Sequence, residues 1–343
     1  MTLVQNPSTT AAISYSAGQA LTDLQQIAPI VAVTVTLIVA MLLDLVLPPR
    51  RSGTAVAVVS VLGLLAALGL AFALWLRGGG HSAYSGFVTG DSFALFLEML
   101  LAVLGILTIA VSSAYVRRRG FLEAEFHVLT LAALIGMMVL SAATSLVTVF
   151  LGLETLSLAL YVSCGFARRD TTSQEAAAKY LLIGGFASAF VLYGMALVYG
   201  ASGSTLLPDI ARAVTSQDAS NPLLVLGVLL LGVGFGFKIS GVPFHQWTPD
   251  VYQGAPLPVT AFMSVGTKAA AFAMIIRVFG SALVNLAGEW QAVLAFVAVL
   301  SMVVGNLAAV VVSGVLSVLL GLYPVLVLAA GVTGAGPVLV SGR

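Results

Sequence analysis

What most constrains this chain is a succession of apolar runs, each about as long as a helix needs to cross a bilayer. Near 27–47, 54–76, 92–115, 125–142, 144–166, 174–200, 222–248, 255–283, 288–311 and 313–335 the residues are mostly Leu, Val, Ala, Ile, Gly and Phe. About 20 such residues span the hydrocarbon at 1.5 Å per residue. Backbone polar groups find no water there, so every spanning segment must satisfy its own hydrogen bonds as a helix does. The expectation is an all-α, polytopic transmembrane helix bundle of about ten helices. Composition sharpens it by exclusion. With 60% hydrophobic and 8% charged residues and a mean hydropathy of +1.10, a soluble domain is ruled out. A net charge of +1 gives no basis for nucleic-acid binding. The single cysteine, Cys164, forms no internal disulfide, and no cluster with metal-ligand spacing occurs.

Residues 1–26 are polar and free of Lys and Arg, unlike a secretory signal with its basic n-region, and read as a short uncleaved tail. Orientation follows from the arginines. With the N-terminus outside, Arg50, Arg51, Arg117, Arg118, Arg119, Arg168 and Arg169 fall on the cytoplasmic side. Arg77, Arg212 and Arg343, with Arg277 near a helix end, fall outside.

The lysines follow a different logic. The chain has three, Lys179, Lys238 and Lys268, and all lie inside apolar segments while the loops use arginine. Lys238 sits in a run interrupted by Gly232, Gly234, Gly236, Gly241 and then Pro243, which lacks an N–H and cannot continue a helical ladder. A broken helix persists in a membrane only where it lines a cavity or is buried in protein, and ionisable groups beside one point to an ion path. Lys268 follows in the next run among small neighbours, Gly266, Ala269 and Ala270.

Glu154 lies roughly 15 Å into its span, where a carboxyl is costly and is a functional candidate by default. One alternative is a protonated Glu154 bonded to a hydroxyl such as Ser157. Lys179 is near the end of its helix and has two readings: snorkelling to the headgroups, or pairing with Glu154 while Glu175 holds the outer side of its face. His245, just after the break, suits either a proton relay between the two lysines or the satisfaction of a freed carbonyl. Asp44, Glu98 and His127 read as solvated groups near helix ends. Burial disfavours an ammonium and an adjacent carboxylate restores it, so lysines in line with an acid form sites whose charge switches when a neighbour's charge moves. The residues show no nucleophile–base pair and no phosphate loop; the chemistry they support is proton translocation.

At these residues the chain resembles a known family. FLGLETLSLALY, EAAAKYLLIGGFASAFVLYG and FKISGVPFHQWTPDVYQGAPLPVTAFMSVGTKAAAFA look like subunit N of the bacterial type I NADH-quinone oxidoreductase, respiratory complex I, an antiporter-like membrane subunit. WTPDVYQGAP is the most specific part, and the likeness runs over roughly 27–310. It implies a tail at 1–26, three leading helices over 27–115, and a first antiporter-like repeat over 125–283 with its broken helix at 222–248. A partial, divergent start of a second, inverted repeat follows over 288–343. By matching motif it implies a proton path through Glu154, Lys179, Lys238, His245 and Lys268. It also implies a translocase subunit without a redox centre, cofactor or metal of its own. NADH, FMN, iron–sulfur clusters and quinone would belong to partner subunits, with membrane-arm neighbours and lipid as its contacts in the inner (plasma) membrane.

Two readings stand beside it: a subunit of a cation/proton antiporter or membrane-bound hydrogenase, and a structural copy that no longer pumps. The latter rests on a departure from the family pattern. After GNLAA at 305–309 the chain stays apolar and uncharged until Arg343, where a polar, basic segment is expected. The second repeat then reads as truncated, frame-shifted or a fragment.

Overall fold

The computed structural model describes residues 17–215 and 221–334. Among these, nine helices are long and apolar enough to cross a membrane. The chain runs α1 (Ala17–Gln26), α2 (Ala28–Val46), α3 (Pro49–Leu76), the strand pair β1 (Ser82–Ala83) and β2 (Val88–Thr89), α4 (Ser92–Arg118), α5 (Glu123–Ala142) and α6 (Leu146–Cys164). It continues through α7 (Thr171–Ser202), α8 (Leu207–Thr215), α9 (Pro222–Ile239), α10 (Trp247–Gly254), α11 (Leu257–Phe262), α12 (Lys268–Arg277) and α13 (Ala287–Gly334).

Two expectations change. Within the expected tail, residues 17–26 form α1, tied to the β1–β2 hairpin where Gln26 Oε1 accepts from the His81 amide at 2.9 Å and Asp23 Oδ2 from the Tyr84 amide at 2.9 Å; residues 1–16 lie outside the described set. The two spans expected at 288–311 and 313–335 form one continuous helix, α13, because no polar loop separates them.

The helix starts follow capping chemistry. The side chains of Asp91, Ser145, Asp170 and Asn221 accept from amides in the first turns of α4, α6, α7 and α9. Close packing follows the small residues. A Cβ on Gly136 of α5 would sit 2.4 Å from the Leu156 amide nitrogen of α6, and one on Gly194 of α7 would sit 2.9 Å from the Gly227 carbonyl of α9. Backbones meet there because nothing stands between them. The helices α5 and α6 are the most enclosed, and α7 and α9 pack alongside.

The third element of position is the break. The helix α9 stops at Ile239, Ser240 turns into the left-handed region (φ 61°), and the chain crosses 241–246 before α10 begins at Trp247. The following span is irregular too, with π turns at Met263–Thr267 and Val278–Ala282 flanking α12. Such bulges gather at functional sites.

Candidate functional site

Ending at Ile239 places Lys238 in the last turn of α9, where the final carbonyls have no partner inside the helix. The Ser240 and Gly241 amides reach the Phe237 and Gly236 carbonyls, and side chains from outside the helix add to them. The Trp247 indole Nε1 donates to the Phe237 carbonyl at 3.1 Å, and the Lys268 ammonium donates to the Lys238 carbonyl at 3.4 Å. Lys268 also donates to Ser240 Oγ, which is hydrogen-bonded in turn to Thr248 Oγ1 at 2.7 Å, and its Nζ stands 5.4 Å from the Trp247 ring centroid. One lysine therefore closes the crack beside the other.

The Lys238 ammonium itself is buried (4% exposed). It donates to Ser157 Oγ of α6 at 2.8 Å and to the Tyr180 hydroxyl of α7 at 3.2 Å. Tyr180 is stacked on Trp247 with centroids 4.9 Å apart, and Ser157 Oγ donates onward to the Leu153 carbonyl at 2.5 Å. A cavity of about 10 Å³ beside Lys238 is lined by Ser157, Tyr161 and Ser188, about the room one water molecule needs.

Glu154 is three residues from Ser157 on α6 and so shares its face. Its Oε1 accepts from Ser188 Oγ of α7 at 2.5 Å. A hydroxyl thus serves Glu154, as the alternative reading expects, but it is Ser188 and not Ser157, which is taken by Lys238 and the Leu153 carbonyl. Nor are Glu154 and Lys179 brought together. Lys179 lies nine residues before Ser188 on α7, about 13 Å along the axis. It bonds Asp250 of α10 at 2.7 Å and Glu175 at 2.8 Å on the exterior of the bundle, its side chain 41% exposed. His245 hydrogen-bonds neither lysine, and its buried Nδ1 has no hydrogen-bond partner among the described residues.

Two of the three helix-end readings are also revised. Glu98 is buried (2%), because it shares the inward stripe of α4 with Ala94, Leu101 and Gly105, and its Oε2 has no hydrogen-bond partner among the described residues. His127 is fully buried, its Nε2 3.2 Å from Ser113 Oγ and 3.7 Å from Glu123. Asp44 stays partly exposed near Arg117 and Glu123. The sequence reading passed over Tyr180, Ser188, Ser240, Trp247 and Asp250. Trp247 and Asp250 stood in plain view in the WTPDVYQGAP motif, and a tyrosine beside a lysine in an apolar run was itself a signal.

At the opposite end of the bundle, Arg277 of α12 forks onto Asp91 with two 2.6 Å bonds, donates to the Ser141 carbonyl at 3.0 Å and lies over the Phe93 ring. Burial pushes the Asp91 carboxyl up, but the hydrogen bonds from Arg277 and the Ala94 amide outweigh it and hold it below its ordinary value.

Fold and site together define a polytopic helical membrane protein whose buried ionisable groups converge on a broken helix. Residues 143–319, just over half of the sequence, match the family described as NADH:quinone oxidoreductase/Mrp antiporter, transmembrane. The chain belongs to that family. It is 43% identical over 271 residues to NADH-quinone oxidoreductase subunit N of Trichlorobacter lovleyi, covering 79% of this chain and 55% of that one. With the subunit N of Chloroflexus aggregans it shares 40% identity, over 84% of this chain and 59% of that one. Among solved structures, a chain of respiratory complex I from Thermus thermophilus matches with a TM-score of 0.67 and 36% identity, over 82% of this chain and 58% of that one. A chain of the Mrp complex from Dietzia, at 22% identity and a TM-score of 0.60, shares the fold. The chain thus spans about half the length of these relatives, from 48% of the Mrp chain to 59% of the Chloroflexus subunit.

Proposed function

We propose that this chain is a proton-translocating membrane-arm subunit of an NADH-quinone oxidoreductase. The observation that carries the reading is Lys238: an ammonium enclosed by protein at the end of a broken helix, hydrogen-bonded to two hydroxyls, its own carbonyl capped by the ammonium of Lys268. Two like charges joined through one carbonyl repel strongly at the low effective dielectric of such a site. A proton arriving at one lysine therefore favours release from the other, and hydroxyls at Ser157, Tyr180 and Ser240 give it routes between them. Glu154, on the face of Ser157, is the counter-charge whose state biases Lys238. Lys179, held outside by Asp250 and Glu175, stands off this line and presents charge to a neighbouring subunit. His245 stands next to the break as a relay.

The names of the relatives support the redox setting. On this reading NADH oxidation and quinone reduction, with FMN and iron–sulfur clusters, take place in partner subunits, and this chain holds no redox centre. Residues 125–283 form the first antiporter-like repeat, 288–343 belong to the start of a second, and the N-terminus faces outside the plasma membrane. The test is pumping in inverted vesicles carrying the complex with Lys238→Ala or Glu154→Ala. Proton uptake is expected to collapse while the complex still assembles; undiminished uptake by either variant removes that residue from the path.

A further inference from the structure

After α9 ends at Ile239 the chain has no helical ladder until α10 begins at Trp247, so the amides between them must be bonded from elsewhere. The Gly241 amide still turns back to the Gly236 carbonyl. The Val242 amide does not. It donates at 2.9 Å to Ser301 Oγ, a hydroxyl 59 residues away on α13. Just before Val242 stands Ser240, which takes the Lys268 ammonium, and one turn before it stands Lys238. Ser301 is therefore bonded to the same short segment that joins the two lysines.

The neighbouring turns of α13 are arranged around that bond. Val293, Val297 and Ser301 recur at the i, i+4 spacing and so share one face. Val293 and Val297 line an apolar cavity of about 500 Å³ together with Ile239, Pro243 and Phe244 of the break. A Cβ on Gly241 would sit 3.1 Å from Val297 Cγ1, so α13 touches the broken segment directly. Ser301 is the only hydroxyl residue between Gln291 and Val312. Its own proton goes to the Val297 carbonyl at 2.7 Å, which leaves its oxygen to accept from Val242. A serine serving α13 alone would need only the first of these bonds.

We propose that Ser301 is a positioning residue for the proton path: by holding the Val242 amide it fixes where Ser240 and the Lys238 carbonyl stand relative to Lys268. The inference rests on the reading of this chain as a proton-translocating subunit and deepens it. Ser301 acts through the backbone of the break and carries no proton along the path itself. On the division into repeats given above, α13 opens the second repeat. One hydrogen bond then lets the second repeat set the geometry of the break in the first. Without it, the Ser240 hydroxyl and the Lys238 carbonyl lose the fixed placement on which transfer between bonded groups depends.

The test is made on the complex carrying Ser301→Ala, Ser301→Thr or Asn306→Ala, beside Lys238→Ala. Proton uptake is read in inverted vesicles, and amide exchange of the peptide spanning 240–246 by mass spectrometry. Ser301→Ala is expected to speed that exchange about two- to tenfold, the range for one hydrogen bond lost, and to slow uptake several-fold in a complex that still assembles. Ser301→Thr keeps the hydroxyl and is expected to restore both. Asn306→Ala, on the exposed side of the same helix, is expected to change neither. If Ser301→Ala prevents assembly, Ser301→Cys, with its weaker acceptor, carries the test. Undiminished uptake in Lys238→Ala overturns the translocation reading, and this proposal with it. Uptake lost in Lys238→Ala but undiminished in Ser301→Ala overturns the proposal alone. So do unchanged exchange at 240–246, failure of threonine to restore uptake, or an equal loss in Asn306→Ala.

Discussion

At the scale of single residues, the consequential fact is how each buried charge is held. Lys238 has two hydroxyl partners, and a hydrogen bond to a charged group contributes about 1.5–3 kcal/mol. Ser157→Ala and Tyr180→Phe are each expected to slow proton uptake by the complex markedly while sparing assembly, as read by dye quenching in vesicles. Wild-type rates in both would take the hydroxyls out of the route. Glu98 makes the opposite case. A buried oxygen without a partner among the described residues costs about 1–3 kcal/mol, so Glu98→Met is expected to leave the thermal midpoint of the purified chain unchanged or raised. A large fall would mean the carboxyl has a partner the geometry does not show. The candidacy of Glu154, Lys238 and Lys268 was legible from an ionisable letter deep in an apolar run. Their partners were not, because a partner depends on the rotation and axial offset of a neighbouring helix. Those offsets give Ser188 to Glu154 and Asp250 to Lys179.

At the scale of elements, the break between α9 and α10 was readable from glycines and Pro243, but its consequence was not. A helix that stops early exposes carbonyls, and the structure caps them with Trp247 and Lys268, residues 10 and 30 positions from the carbonyls they cap. Trp247→Phe keeps the ring and removes the donor. It is expected to destabilise the chain by about 0.5–1.5 kcal/mol, the net worth of one hydrogen bond, since the Phe237 carbonyl still accepts from the Ser240 amide at 3.0 Å; thermal unfolding in detergent measures it. The α5–α6 contact is less forgiving. A methyl at Gly136 would meet backbone at 2.4 Å, so Gly136→Ala must push two helices apart and is expected to cost at least about 1–3 kcal/mol. Gly185, with nothing near its added Cβ, is the control: Gly185→Ala should be neutral or mildly stabilising.

At the scale of the molecule, the far end of the bundle is tied by Arg277, which joins α12 to Asp91 before α4 and to the end of α5. A carboxylate held below its ordinary value stabilises the fold at every pH above that value, 3.8, and loses the contribution as pH falls through its lowered folded value. The difference in thermal midpoint between wild type and Asp91→Asn is expected to be constant from neutral pH down to about 4, then to shrink in more acid buffer. A difference that grows on acidification would mean that Arg277 does not control Asp91.

By itself the sequence determined that the chain spans a membrane as helices, where it breaks, and which few charges it keeps in oil. Those are local properties, set by the cost of placing each residue in hydrocarbon and by the backbone habits of proline and glycine. Tertiary structure alone decided which charges meet: Lys238 with α6 and α7, Lys268 with the cracked end of α9, Lys179 with the exterior, Glu98 and His127 with the interior. The reason is geometric. A turn of helix moves a side chain through a full circle in under four residues, so composition reports that a charge is buried, while only the packed register reports against what.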